Sequence, residues 1–209
     1  MRGGYLAEAD LYERWGLSTE AWRQGHYASL VTYAFLHGSL THVCCNGMML
    51  LFIGARLENW LGRRRLLFLW LGGMVVGGCF TLCMNGSSQA VLVGASGSAM
   101  ALLLCLTTLS PQSRMFPLPI AAGNVGLGVL ISSLILMFLD PDAPVVLFAR
   151  CGKAISERFG DDIFKIGHAC HFGGALVGWS YARWILRRPV TLEKLRENRR
   201  RREKAETHS

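Results

Sequence analysis

Three groups of residues in this chain have the types and spacings that could act together as a catalytic site. The first is Gly94-Ala95-Ser96-Gly97, directly before the uncharged run Ser98–Leu109. A serine flanked by small residues where a loop turns into a helix can expose its hydroxyl, because glycine permits unusual dihedrals and close backbone approach. The second is His168-Ala169-Cys170-His171-Phe172-Gly173-Gly174. A histidine there can serve as general base to a serine, since the ordinary imidazole pKa of about 6.5 lies near neutral pH. The third is His37, His42 and Asn46. His42 and Asn46 are four apart and share one helix face. Two donors aimed at one point suit an oxyanion hole completed by the backbone N–H of Ser96.

Each group also has an ordinary explanation. GxSG arises from small-residue packing in membrane helices, and histidines and asparagines tie such helices together by hydrogen bonds. Metal binding is the lesser reading: His168-x-Cys170-His171 has no second cysteine pair and no nearby carboxylate, and Cys79 and Cys83 stand alone at helical spacing. No metal and no cofactor is expected. The seven cysteines form no CxxC pair, and most lie inside apolar blocks, where a free thiol behaves as a small hydrophobe.

The elements that must position these groups follow from where charge is missing. Of 209 residues 51% are hydrophobic and only 17% charged, with a mean hydropathy of +0.30; a soluble domain carries about 25% charge. Residues 24–55, 66–113, 115–139 and 166–182 contain no Asp, Glu, Lys or Arg. A membrane span needs about 20 mostly apolar residues. These blocks exclude a soluble enzyme, a disordered chain and a secreted disulfide scaffold, and predict an all-α polytopic membrane bundle. The 66–113 block holds two helices separated by Asn85-Gly86-Ser87-Ser88-Gln89, so five spans are predicted, at about 38–58, 66–84, 96–112, 117–139 and 168–186.

Lys and Arg set the orientation. Arg63-Arg64-Arg65, Arg114 and the tail 187–209, whose net charge is +5, fall on one side if the spans alternate, and that side is the cytoplasm. The division expected is an extracytoplasmic segment over 1–30, a membrane domain over 31–187 and a basic cytoplasmic tail over 188–209. The tail serves topology and anionic-lipid contact; nucleic acid is not an expected partner. With this topology the serine, the histidines and Asn46 all lie near the extracytoplasmic surface. Gly174 and Gly178 make a GxxxG face that lets the last helix approach a neighbour closely, and Gly94 and Gly97 are the expected matching surface.

Together, the stretches FLHGSLTHVCCN, VGASGSAMAL and GHACHFGGALVG, in that order, resemble the rhomboid intramembrane serine proteases. Gly54-x3-Glu58-x3-Gly62 and the Ser110-Pro111, Arg114 and Phe116-Pro117-Leu118-Pro119 linker are also rhomboid-like, and the resemblance covers roughly 33–186. It implies Ser96 as nucleophile, His171 rather than His168 as base, His42 and Asn46 as oxyanion donors, and His37 and His168 as site support. It implies a Ser-His dyad cleaving transmembrane segments of other proteins, in a multi-pass protein of a bacterial inner membrane, with the site facing outward. The chain departs from the pattern in three places. The span that normally precedes the HxxxxHxxxN helix is missing, so translation is expected to start upstream of Met1 or the form is a shortened one. Ala28-Ser29 stands where the family often has Trp-Arg, with Trp22-Arg23 six residues too early. Met100 stands where a ring often stacks on the base. The alternative is a non-catalytic rhomboid-like chaperone or adaptor; a transporter is disfavoured, because no intramembrane acid or internal repeat is present.

Overall fold

In the computed structural model the described residues are 10–84, 90–114, 119–161, 163–164 and 166–187. The predicted break at 85–89, most of the 116–119 linker and the tail from 188 onward lie outside them. Among the described residues six long helices form the body: α1 Leu40–Leu61, α2 Arg63–Met84, α3 Ser96–Leu109, α4 Ala122–Phe138, α5 Val146–Phe159 and α6 His168–Leu186. Short helical pieces at Thr19–Arg23, Ser29–Thr32 and Tyr33–Phe35 precede them. Among the described residues there is no strand, only isolated bridges Leu17–Leu92 and Arg114–Ala121.

Ser39 caps α1, its hydroxyl accepting the His42 N–H at 3.1 Å. Gly62, at φ +80°, ends it. The next helix starts at once, so Arg63-Arg64-Arg65 forms the first turn of α2 rather than a loop. Both helices are 22 residues and apolar enough to cross a bilayer, about 33 Å at 1.5 Å per residue. α3 and α4 are apolar but shorter. Of the predicted segments, 96–112 stops at Leu109 and 117–139 begins only at Ala122, whereas 38–58 runs on to Leu61 and 66–84 starts earlier, at Arg63.

α3 is the axis of the bundle and touches α1, α2, α4 and α6. Leu57, Leu69, Leu102, Leu104 and Cys105 fill the main core with Ala175 and Ala182. A second cluster of Leu17, Tyr33, Ala34, Met74 and Cys170 seats the segment before α1 against α2 and α6. Large apolar side chains such as Leu51, Phe52, Phe68 and Leu127 point outward, as expected where lipid rather than water surrounds the helices. α5 was not among the predicted elements; it stands between α4 and α6 and carries charge at several positions.

Candidate active site

The serine sits at a turn that only glycine can form. Gly94 has φ +113°, in the left-handed region, and its N–H donates to the Tyr33 carbonyl at 2.9 Å. A Cβ there would lie 2.6 Å from His42 Nε2 and 3.3 Å from Asn46 Nδ2. The His42 and Asn46 side chains are therefore packed on the backbone two residues before Ser96. Gly94 faces α1, not α6, which corrects the pairing expected from the sequence. Ser96 opens α3 with no capping side chain, so the first-turn N–H groups have no cap acceptor. The neighbouring Ser98 hydroxyl donates to the Trp70 carbonyl at 2.7 Å and fixes this end of α3 on α2.

The glycines of α6 bring the base helix to the same point. A Cβ on Gly174 would overlap the Gly97 carbonyl, and one on Gly178 would overlap the Ala101 carbonyl. A Cβ on Gly97 would sit 2.7 Å from Cys170 Sγ. The α3 and α6 backbones thus touch directly at the level of Ser96 and His171. His171 follows Cys170 and lies one turn before Gly174.

Ser96, His171, His42, Asn46, His168 and Met100 all line one cavity of about 780 Å³. Ser96 is 9% exposed. Among the described residues no hydrogen bond joins the Ser96 hydroxyl to the His171 ring; in unliganded sites such bonds are often long and tighten only with substrate. Asn46 is buried and its Nδ2 has no partner, and the same is true of His37 Nε2. An unpaired buried donor costs about 1–3 kcal/mol, which a ligand oxygen at Asn46 would recover. His37 stacks edge-on to His42, ring centroids 5.0 Å apart, and its carbonyl accepts from the Tyr12 hydroxyl at 2.9 Å. His168 Nε2 contacts the Ile163 carbonyl at 2.7 Å, so this ring holds the loop before α6. No group of three His, Cys, Asp or Glu arranged for a metal exists among the described residues.

Two features of the site were not picked out from the sequence. Tyr33 is fully buried; its hydroxyl donates to the Met74 carbonyl at 2.7 Å and lies 3.5 Å from Cys170 Sγ, while its carbonyl holds Gly94. It links the serine turn, α2 and the helix of His171, and burial pushes its phenol pKa up. Its only sequence signal is a tyrosine one turn before His37. Asp140, Asp142 and Asp161 line the cavity from the α4–α6 connection. Burial pushes the Asp140 carboxyl above its ordinary value, opposed by the Asp142 N–H that Oδ1 accepts at 2.9 Å and by the nearby His168 ring. Their signal was simply that 140–165 is the one charged interval between the last two apolar blocks.

The family model described as "Rhomboid domain" matches residues 19–188. The mitochondrial presenilin-associated rhomboid-like protein A of Danio rerio is 25% identical over 154 residues, 73% of this chain and 36% of that protein. The chloroplastic rhomboid-like protein 16 of Arabidopsis thaliana is 29% identical over 135 residues, 54% of this chain and 42% of that protein. The chain thus spans less than half the length of either relative.

Proposed function

The chain belongs to the rhomboid family, an all-helical integral membrane fold, and on that premise we propose that it is a serine endopeptidase cutting transmembrane segments of other membrane proteins. The observation that carries this reading is the meeting of Ser96, His171, His42 and Asn46 in one cavity, on helices held in backbone contact by Gly97 and Gly174.

In this mechanism His171 takes the proton of Ser96 as its Oγ attacks a peptide carbonyl. The new C–O bond pushes the carbonyl electrons onto the oxygen. His42, Asn46 Nδ2 and the Ser96 N–H stabilise that oxyanion. Collapse expels the amine, which takes the proton from His171. Water entering through the cavity then hydrolyses the acyl-enzyme by the same steps. A helical substrate hides its carbonyls in i→i−4 bonds, so the cleaved segment must unwind locally, which favours small or helix-breaking residues there.

The cavity opens toward the extracytoplasmic side in this proposal, with Arg63-Arg64-Arg65, Arg114 and the basic tail in the cytoplasm. The 1–30 segment is outside, and 31–187 forms the membrane domain. A second reading, client binding without cleavage, draws on the missing Ser96–His171 hydrogen bond. A fluorophosphonate probe separates the two. The protease reading expects labelling of the folded, bilayer-reconstituted protein that is lost in Ser96→Ala and falls at least about 1000-fold in His171→Ala. An unlabelled but folded protein overturns it in favour of the adaptor.

A further inference from the structure

The helix that sequence reading left out, α5, divides into three faces. Ala149, Gly152 and Ser156 share one row. Ala149 and Gly152 are buried, and a Cβ on Gly152 would overlap the Leu139 carbonyl, so this row is the seat on the end of α4. Leu147, Cys151, Ile155 and Phe159 recur every four residues on a second row. Leu147 is 69% exposed and Phe159 81%, and among the described residues nothing covers them. Arg150, Lys153 and Glu157 form the third row, all exposed, and Arg158, seven residues after Cys151, emerges on the apolar row in the last turn. None of the three cations is ion-paired among the described residues.

A helix with one strongly apolar face, one cationic face and few apolar residues elsewhere belongs in the plane of a bilayer interface. Continuity fixes which surface it meets. α5 starts a few residues after the end of α4, and Phe148 packs on Phe138 of α4 at 5.9 Å between ring centroids. Its uncovered row therefore continues the outward-facing apolar surface of Leu127, Ile131 and Ile135 on α4. Arg158, with an aliphatic stem, can reach headgroups from the apolar side. With Arg150, Lys153 and Arg158 against Glu157, the helix carries a net charge of +2, which complements acidic phospholipid.

We propose that α5 is an interfacial helix that beds its Leu147–Cys151–Ile155–Phe159 row in the leaflet on the cavity side and binds acidic phospholipid headgroups through Arg150, Lys153 and Arg158. Its two connections, through Asp140–Asp142 and through Asp161 and Phe164, line the cavity. The lipid seat of α5 is therefore covalently continuous with the cavity wall. The proposal needs no catalysis and stands if the proteolytic reading fails.

The native Cys151 is exposed on the apolar row and provides the probe. The protein is reconstituted in nanodiscs of phosphatidylcholine alone or mixed with phosphatidylglycerol. It is then treated with a charged, water-soluble maleimide, and the rate at each cysteine is read by peptide mass spectrometry. Cys151 is expected to react about tenfold more slowly in the acidic discs than in the neutral ones, because interfacial cations draw the helix onto an acidic surface. The exposed-site variant Glu157→Cys, on the polar row and outside the headgroup-binding set, is expected to stay fast in both. The triple variant Arg150→Gln, Lys153→Gln, Arg158→Gln is expected to erase the difference between lipids at Cys151. Equal rates at Cys151 and at position 157 in acidic discs would show α5 to be off the bilayer and overturn the proposal. Slow Cys151 that is indifferent to lipid charge, or unaffected by the triple variant, would overturn the headgroup assignment.

Discussion

Helices α3 and α5 are both 14 residues long and are used in opposite ways. α3 has no charge, is apolar on every side and buries eleven of its residues at the centre of the bundle. α5 carries four charges and buries only Ala149 and Gly152. A helix apolar all round has nowhere to go but a protein or lipid interior, whereas a helix with distinct rows sits at a boundary between media. The same device nevertheless seats both: a glycine whose missing Cβ lets a neighbouring carbonyl come close. At α3 that neighbour is in the middle of a packed helix pair; at α5 it is the C-terminal end of α4. The comparison predicts that the same kind of substitution has unequal consequences.

The largest effect is expected for Gly178→Leu. Its side chain would start inside the Ala101 carbonyl and against the Cys105 N–H, backbone atoms of a helix held on four sides. Overpacking that cannot be relieved by rotamer changes costs about 3 kcal/mol or more, so the variant should fail to reach a stable monodisperse fold in detergent. Gly152→Val introduces a similar clash with the Leu139 carbonyl, but α5 can lift away. Thermal unfolding of the bundle should change little, while amide exchange rises across 146–159, a local loss of about 1–3 kcal/mol. If Gly152→Val unfolds the whole protein, α5 is part of the core and the contrast fails. Gly128 completes the series: a Cβ there meets nothing within 4 Å, so Gly128→Ala should stay within about 0.5 kcal/mol of the native stability.

That series also marks what was legible in the sequence. Ser96, His171, His42 and Asn46 could be singled out because polar types in long uncharged blocks are conspicuous, and because glycines flank the first two. The all-helical bundle was legible for the same reason: absence of charge over 17 to 48 residues is a strong signal. The partner of Gly94 was not, since it depends on how α1 is rotated against the serine turn, a property of packing between distant segments. Tyr33 was hidden because its role is made by three contacts that are 41 to 137 residues away or lie on the serine turn. α5 forms no uncharged block, because it carries Arg150, Lys153, Glu157 and Arg158; the four-residue recurrence of Leu147, Cys151, Ile155 and Phe159 was the signal available. The role of Gly123 and Gly126 also depends on distant packing: their missing side chains make room for Pro111 and Thr107.

The smallest effect sharpens the boundary between the two regions at Asp140, where α4 ends and the path to α5 begins. The carboxyl is half-buried, and burial raises its pKa above the ordinary 3.8. The folded protein therefore holds this proton more tightly than the unfolded chain does. The stability that follows is fully present below the unfolded value and is lost as pH rises through the folded pKa. Asp140→Asn keeps an oxygen to accept the Asp142 N–H and removes the titration. Native and variant should melt together in acid, and the variant should melt slightly higher once pH passes the folded pKa. Melting curves of the two proteins across that range check the sign. A native protein that gains stability over the variant as pH rises would mean that the charged carboxylate is held by His168 rather than penalised by burial, and that this corner belongs electrostatically to the site rather than to the surface.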